Sequence, residues 1–219
     1  MKLVWSPETA SKAYIDTVKT CGLSNESGVA ELVSAMAAGW NAKLVVETWS
    51  QGGPTATSVG LAVATHHTGG KHICVVPDES SKSEYVAAMR KHGQQPADVM
   101  VGPPEKAVEG LEGIDFLVVD CRRNDFARIL SVARLGHRGA VLMCKNASSR
   151  AASDFRWRSV IGGKSRIVRS VFLPVGKGLD IAHVGARGGG GGGLGGGKGQ
   201  SRWIKHIDQQ SGEEFVIRK

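Results

Sequence analysis

Four short apolar runs each lead into residues that can do chemistry. Leu44–Val46 runs into Glu47, Ile73–Val76 into Pro77-Asp78-Glu79, Phe116–Val119 into Asp120, and Ala140–Cys144 into Lys145-Asn146. A carboxylate that follows an apolar run is costly to bury without a partner. Asp120 is therefore the strongest single candidate for a functional residue, able to accept a proton; its plainer role is to cap the turn that follows. Lys145 is either a satisfied ion-pair partner of Asp120 or a reactive amine, because a partly buried lysine shifts its pKa readily. Asp78 or Glu79 suits ribose hydroxyls, which nucleotide-binding α/β folds hold just past the second strand. Either residue could equally do no more than start the next helix. Gly52-Gly53-Pro54 follows the first run. Two glycines permit a sharp turn, Pro54 fits the first position of a helix, and the junction aims free N–H groups above the strand. A strand-to-helix turn that binds nothing has the same sequence signature.

The elements that must hold these residues alternate. β-Branched apolar runs are separated by stretches of helical periodicity, which predicts a mostly parallel sheet covered on both faces. Two helices come first, within residues 1–40: one enters at Ser6-Pro7 and runs to about Cys21, the next starts at Ser24-Asn25-Glu26 and runs to Gly39. Five strands follow, at Leu44–Glu47, Ile73–Val76, Asp98–Gly102, Ile114–Asp120 and Gly139–Cys144, with helices between them. A helix is expected over Ala151–Ile161. Arg166–Pro174 and Leu179–Val184 then form a hairpin that adds an antiparallel strand. The α/β domain spans residues 1–184. Residues 185–199 are glycine-rich and are expected to be a disordered linker, since polyglycine buries nothing. Residues 200–219 form a basic tail with apolar segments on either side of Gln210-Ser211-Gly212, suited to a short strand pair or to a partner.

The chain has 219 residues, 28 Lys and Arg, 20 Asp and Glu, and a net charge of +8. Residues 1–146 carry 15 of each sign, so the excess falls in residues 147–219, with 13 basic and 5 acidic side chains. An anionic partner such as nucleic acid would fit that excess. The basic residues are dispersed and aromatics are sparse, so a solvated surface is the favoured explanation. The four cysteines, at 21, 74, 121 and 144, lack paired metal spacing and are expected to be reduced core thiols. No apolar run approaches the roughly 20 residues that span a bilayer, and no secretory signal is evident. These features predict an intracellular protein of the cytoplasm, or of the nucleus, with no membrane partner.

Five β-α units followed by a hairpin resemble the class I S-adenosylmethionine-dependent methyltransferase fold, over about Trp5 to Val184. The resemblance implies a Rossmann-like, seven-stranded, mostly parallel sheet with an antiparallel C-terminal hairpin and helices on both faces. It is nearest to the O-methyltransferases of the catechol and caffeoyl-coenzyme A type. Leu44-Val45-Val46-Glu47 looks like their first strand with its terminal acid, and Gly53 like a glycine of their cofactor turn. Val101-Gly102 is similar to their third-strand end, and Leu117–Asp120 to the strand that carries a metal-binding aspartate. Gly139–Leu142 leads to Lys145-Asn146 where those enzymes have Asp-Asn. As a whole the chain, with SPETASKAYIDTVK and LPVGKGLDIAHVG, looks like a plant family of unknown function described as methyltransferase-like.

That resemblance implies S-adenosylmethionine as cofactor, touching Glu47, Trp49, Gly52, Gly53, Asp78, Gly102 and Asp120. It implies Asp120, Lys145 and Asn146 as the catalytic group. The departures matter as much. Trp49 stands where the family has a glycine, and its indole would crowd the methionine end of the cofactor unless it turns away. Lys145 replaces an acid, and a cation in a ligand position repels Mg²⁺, so no catalytic metal is expected. Arg123 falls near the place of a catalytic lysine, yet arginine stays charged and is a poor base. Three functions remain open: methyl transfer to the oxygen of a small molecule, a non-catalytic scaffold with a protein partner, and nucleic-acid binding through the basic third. The N-terminal helices could also form a homodimer contact.

Overall fold

A computed structural model describes residues 4–21, 28–149, 154–162, 165–186, 203–207 and 214–218. The chain divides into two compact units, residues 1–188 and 189–219. In the first, α1 (Pro7–Cys21) and α2 (Val29–Gly39) precede β1 (Leu44–Thr48). Then come α3 (Ala56–Thr68), β2 (Lys71–Val76), α4 (Glu79–Lys91), β3 (Asp98–Val101), α5 (Pro104–Glu109), β4 (Glu112–Ile114) and β5 (Phe116–Asp120). They are followed by α6 (Phe126–Val132), β6 (Arg134–Leu135), β7 (Ala140–Lys145), α7 (Trp157–Ile161), β8 (Ile167–Leu173) and β9 (Leu179–Val184). The second unit holds β10 (Trp203–Ile207) and β11 (Glu214–Arg218), which pair antiparallel.

Seven strands form the main sheet in the order β3-β2-β1-β5-β7-β9-β8. β9 runs antiparallel to both neighbours, and the remaining pairs of the sheet are parallel. The expected α/β architecture is therefore present, with its hairpin at one edge. Alternation along each strand sends side chains to opposite faces. Val45, Phe116, Val118, Val141 and Met143 pack with α1, α2 and α3. Val46, Leu117, Val119, Leu142 and Cys144 pack with Val108 of α5, Phe126, Ile129 and Leu130 of α6, and Trp157 and Ile161 of α7. By the same parity Glu47, Asp120 and Lys145 belong to the first of these faces. Cys74, Cys121 and Cys144 are buried free thiols, and Cys21 is half-buried.

Local chemistry fixes the joints. Ser6 Oγ accepts from Thr9 N at 3.3 Å and starts α1. Gly69 ends α3 in the left-handed region, at φ 59°, where a side chain would be strained. At the start of α2, Gly28 N donates to the Glu31 carboxylate at 2.7 Å.

Three expectations are corrected. The fourth predicted strand, Ile114–Asp120, is broken at Asp115 into β4 and β5. Asp115 is 4% exposed, and its Oδ2 accepts from Lys43 N at 2.8 Å, Leu44 N at 3.3 Å and Arg138 Nη2 at 2.8 Å. Satisfying a buried carboxylate there outweighs continuing the ladder, and β4 pairs with β6 instead. The helix expected between the fourth and fifth strands is short: it starts at Phe126 and stops at Val132, because Arg122 and Arg123 fold back onto acids and Arg134-Leu135 is taken up as a strand. Of the helix expected over 151–161, Trp157–Ile161 is helical and residues 154–156 are not; 150–153 lie outside the described residues. The predicted start of α2 at 24–26 and the glycine-rich stretch from 187 to 199 also lie outside them.

Candidate functional site

The parallel strands β1, β5 and β7 end side by side, and a crevice of about 280 Å³ opens above them. Thr48 through Gly53 form one wall, Asp120, Arg122 and Arg123 the other, and Lys145 the end. A second cavity, also about 280 Å³, begins at Lys145 and runs between the start of α3, Val29 of α2 and the turn between β8 and β9. Either volume alone is just under the roughly 300–1,000 Å³ of small-molecule sites, and the two meet at one side chain.

The glycine turn is built by close approach. A Cβ on Gly53 would stand 2.8 Å from Ser50 O and 3.2 Å from Trp49 Nε1, so no larger residue fits. Gly52 has φ 71° and donates its N–H to Glu84 of α4 at 3.0 Å. The Trp49 indole is buried in the wall of the crevice that it helps to line. It meets Tyr85 edge-on, with ring centroids 5.6 Å apart, and joins Val59, Cys74, Val76 and Met89 in a core cluster. The tryptophan expected to crowd the cofactor is thus both a core residue and part of the crevice lining.

Asp120 is held from two sides. Its Oδ1 accepts from Arg122 N at 2.9 Å and Asn146 Nδ2 at 2.9 Å, and its Oδ2 from Arg122 Nη2 at 2.7 Å. Burial pushes its pKa up, but the Arg122 hydrogen bonds, the Asn146 amide and the Lys145 charge prevail and hold the carboxyl below its ordinary value. Asn146 reaches it from a left-handed backbone, φ 59°, which asparagine tolerates better than most residues. Asp120 and Lys145 are direct register partners on β5 and β7, as adjoining strands predict. The ion pair nevertheless goes to Arg122, whose fork matches a carboxylate bidentately.

Glu47 lies fully buried under the rim. Its Oε1 accepts from His72 Nε2 at 3.1 Å and Tyr85 Oη at 3.2 Å. Burial raises its pKa, yet the His72 hydrogen bond and charge and the Lys145 charge outweigh that and keep it lowered. Asp78 stands outside the crevice and caps α4, its Oδ1 accepting from Ser81 N at 2.7 Å, which lowers its pKa. Gly102 follows β3 at φ 144° and is not part of the crevice wall. The structure therefore gathers Trp49, Gly52, Gly53, Asp120 and Lys145 around one crevice, sets Asn146 on its neighbour, and leaves Glu47, Asp78 and Gly102 off both.

Thr48, Ser50, Gln51 and Arg122 of the crevice lining were not anticipated. Thr48 Oγ1 and Trp49 Nε1 are buried at the crevice without a hydrogen-bond partner among the described residues. Arg123 bridges the walls, donating to Ser50 Oγ at 2.6 Å while its other nitrogens hold Asp125. The signal for Arg122 was present, two residues past a strand-terminal acid. Thr48 and Ser50 carried none beyond their nearness to the glycines.

The donor set does not suit a divalent ion. Asp120 already accepts from Arg122 and Asn146, and the ammonium of Lys145 stands beside it. Among the described residues no three His, Cys, Asp or Glu side chains group to hold a metal. No helix of the described residues is long and apolar enough to cross a membrane.

Comparison with known proteins matches the geometry. A family described as "Protein of unknown function (DUF1442)" matches residues 1–219. No curated protein matches the sequence. Among solved structures, a methyltransferase from Geobacter sulfurreducens is similar at 18% identity and TM-score 0.55, over 80% of this chain and 88% of that one. An SAH-bound methyltransferase of Podospora anserina is similar at 14% identity and TM-score 0.54, over 82% and 89% of the two chains. The O-methyltransferase TomG of Streptomyces achromogenes, in complex with SAM and involved in tomaymycin synthesis, is similar at 18% identity and TM-score 0.53, over 84% and 92%. At such identities the likeness establishes a shared Rossmann-like methyltransferase fold.

Proposed function

The chain belongs over its whole length to the DUF1442 family of proteins of unknown function, and we propose that it binds S-adenosylmethionine and acts as an O-methyltransferase-like protein on a small molecule. Its finer placement, beside the catechol and caffeoyl-coenzyme A type and within a plant family, belongs to this proposal. So does a cytoplasmic location. The observation that carries the reading is the crevice over Gly52-Gly53, at the carboxyl ends of β1, β5 and β7, lined by Thr48, Ser50, Asp120, Arg122 and Lys145. Open α/β sheets bind their ligands outside the carboxyl ends of the strands, which is where this crevice lies.

When bound, S-adenosylmethionine supplies a methyl group carried on a sulfonium. The chain's own part is alignment, which methyl transfer needs more than it needs special groups. Thr48, Gly52 and Gly53 would hold the cofactor from one wall, with Asp120 and Arg122 on the other. Glu47 shapes the floor through His72 and Tyr85 and places no oxygen in the crevice. Asp120 stays ionised and fully engaged, so its role is to fix Arg122 and Asn146 rather than to take a proton. That same engagement favours a second reading, a binding protein without turnover, in which the fold presents a ligand-dependent surface.

Calorimetric titration of the full chain with S-adenosylhomocysteine tests the first reading. Saturable one-to-one binding is expected. No heat and no rise in melting temperature at millimolar ligand would remove both the cofactor and the activity.

A further inference from the structure

Lys145 is 5% exposed and lies on both cavities, yet among the described residues its ammonium makes no hydrogen bond and no ion pair within 4 Å. The charges of Asp120 and Glu47 reach it only through space. A lysine so deeply buried is ordinarily paired. Its natural partner, Asp120, has been taken by Arg122.

The second cavity explains what the ammonium is for. Among the described residues its charged lining consists of Lys145 and Lys177, with no acid. On the opposite wall α3 begins, thirteen residues long, and its cap residue Thr55 gives no side-chain hydrogen bond. The first-turn N–H groups of such a helix lack carbonyl partners and carry the positive end of the helix dipole. Thr57, in that first turn, is 1% exposed, lines the cavity, and has a hydroxyl with no partner among the described residues. Val29, Pro54, Val175 and Leu179 are its apolar lining, and Asn146, Gly176 and Gly178 complete the wall. Two cations, an uncapped helix start and an unpaired hydroxyl around an apolar pocket form a receptor for an anion on a hydrophobic body.

We propose that this cavity binds the anionic group, a carboxylate or a phosphate, of the small molecule the protein acts on, with Lys145 as the buried cation and Thr57 as a hydroxyl donor. Calling that molecule the methyl acceptor rests on the cofactor reading above; the anion site does not. Specificity follows from what is left unpaired otherwise. A neutral analogue of the same shape leaves a buried ammonium without a counter-charge, which buried charges tolerate poorly.

The same chemistry has a second source, the carboxylate of the cofactor's own methionine end. The experiment separates them. Benzoate, its neutral isostere benzamide, and inorganic phosphate are titrated into the full chain, with and without saturating S-adenosylhomocysteine. Expected are saturable binding of benzoate and of phosphate, at least about tenfold weaker binding of benzamide, and retention of anion binding when S-adenosylhomocysteine is bound. Lys145→Met should weaken benzoate at least about tenfold, with Lys145→Arg keeping most of the affinity, and Thr57→Val about threefold, both in keeping with hydrogen bonds to charged and neutral groups. Displacement of the anion by S-adenosylhomocysteine would assign the site to the cofactor and overturn the proposal. Absent anion binding, equal binding of benzamide, or unchanged affinity in both Lys145→Met and Thr57→Val would overturn it too. Anion binding in a protein that takes no S-adenosylhomocysteine would leave this site standing while the cofactor reading fell.

Discussion

The two ends of the parallel sheet treat a buried charge in opposite ways. At the amino end Asp115 is 4% exposed, and Arg138 and the backbone N–H groups of Lys43 and Leu44 all donate to its Oδ2. At the carboxyl end Lys145 is 5% exposed and its ammonium is bonded to none of the described residues. Burial is equal, so burial alone does not separate structure from function; the accounting of partners does. Asp115 ties β1, β5 and the approach to β7 together, and it does so at the cost of a strand break. The Lys145 ammonium ties none of the described elements together. An unpaired charge kept at the rim where α/β folds place their ligands is a residue waiting for a partner from outside the chain.

The largest effect expected of this contrast lies at the amino end. Asp115→Ala leaves Arg138 and two backbone N–H groups without their acceptor, and removing one member of a buried pair costs about 3–5 kcal/mol. Urea melts should show that loss. A loss under about 1 kcal/mol would mean the amino end is as loosely paired as the carboxyl end, and the contrast would fail. Trp49→Ala comes next, at about 3 kcal/mol, because the ring fills the space among Val59, Cys74, Val76, Tyr85 and Met89. If the variant melts like the native chain, the indole is not the packed core element its burial indicates.

At the carboxyl end the acid limb of stability sharpens the comparison. Asp120 and Glu47 both have lowered pKa values in the folded protein, so the unfolded chain binds protons more readily. Their stabilisation is fully present above the unfolded values, about 4, and is lost as pH falls through the folded ones. Asp120→Asn should therefore be less stable than the native chain at pH 7, with the gap narrowing below about pH 4. A gap that stays constant down to pH 2 would show that Asp120 is not held as a carboxylate.

How much of this was legible in the sequence follows the same division. Strand-terminal residues were readable because apolar runs set the strands, and parallel order then sets which ends adjoin; Asp120 opposite Lys145 needed no more than that. Side-chain choices at those ends were not. Whether Lys145 or Arg122 takes the Asp120 carboxylate depends on how the chain leaves β5, and no periodicity encodes it. Asp115 read as one more residue inside a strand, since nothing local reveals that Arg138, 23 positions away, will meet it. Residues 154–156, expected within a helix over 151–161, are not helical for a related reason. Composition permits it, but what docks is the Trp157 end, where Nε1 donates to Asp180 at 2.7 Å on β9. Trp49 was legible as an obstacle, but its burial was not legible, because the space it fills is made by Tyr85 and Met89 of another helix.

The smallest expected change in stability is the most diagnostic. Lys145→Met removes a charge that no described residue satisfies and fills the volume with an apolar chain of similar length. Replacing an unpaired buried charge in this way is commonly neutral or stabilising, so the unfolding free energy should stay within about 1 kcal/mol of the native value or rise. The loss of the Lys145 charge also removes one of the influences that lower the Asp120 and Glu47 pKa values, and their acid limb should move up in pH. Chemical denaturation at pH 7 and at pH 4 measures both. A destabilisation as large as that of Asp115→Ala would reveal a structural partner for the ammonium, and the two ends of the sheet would then be alike. Stability unchanged at pH 7 together with a shifted acid limb is the pattern of a charge that the fold carries without needing, and only a ligand gives such a charge its use.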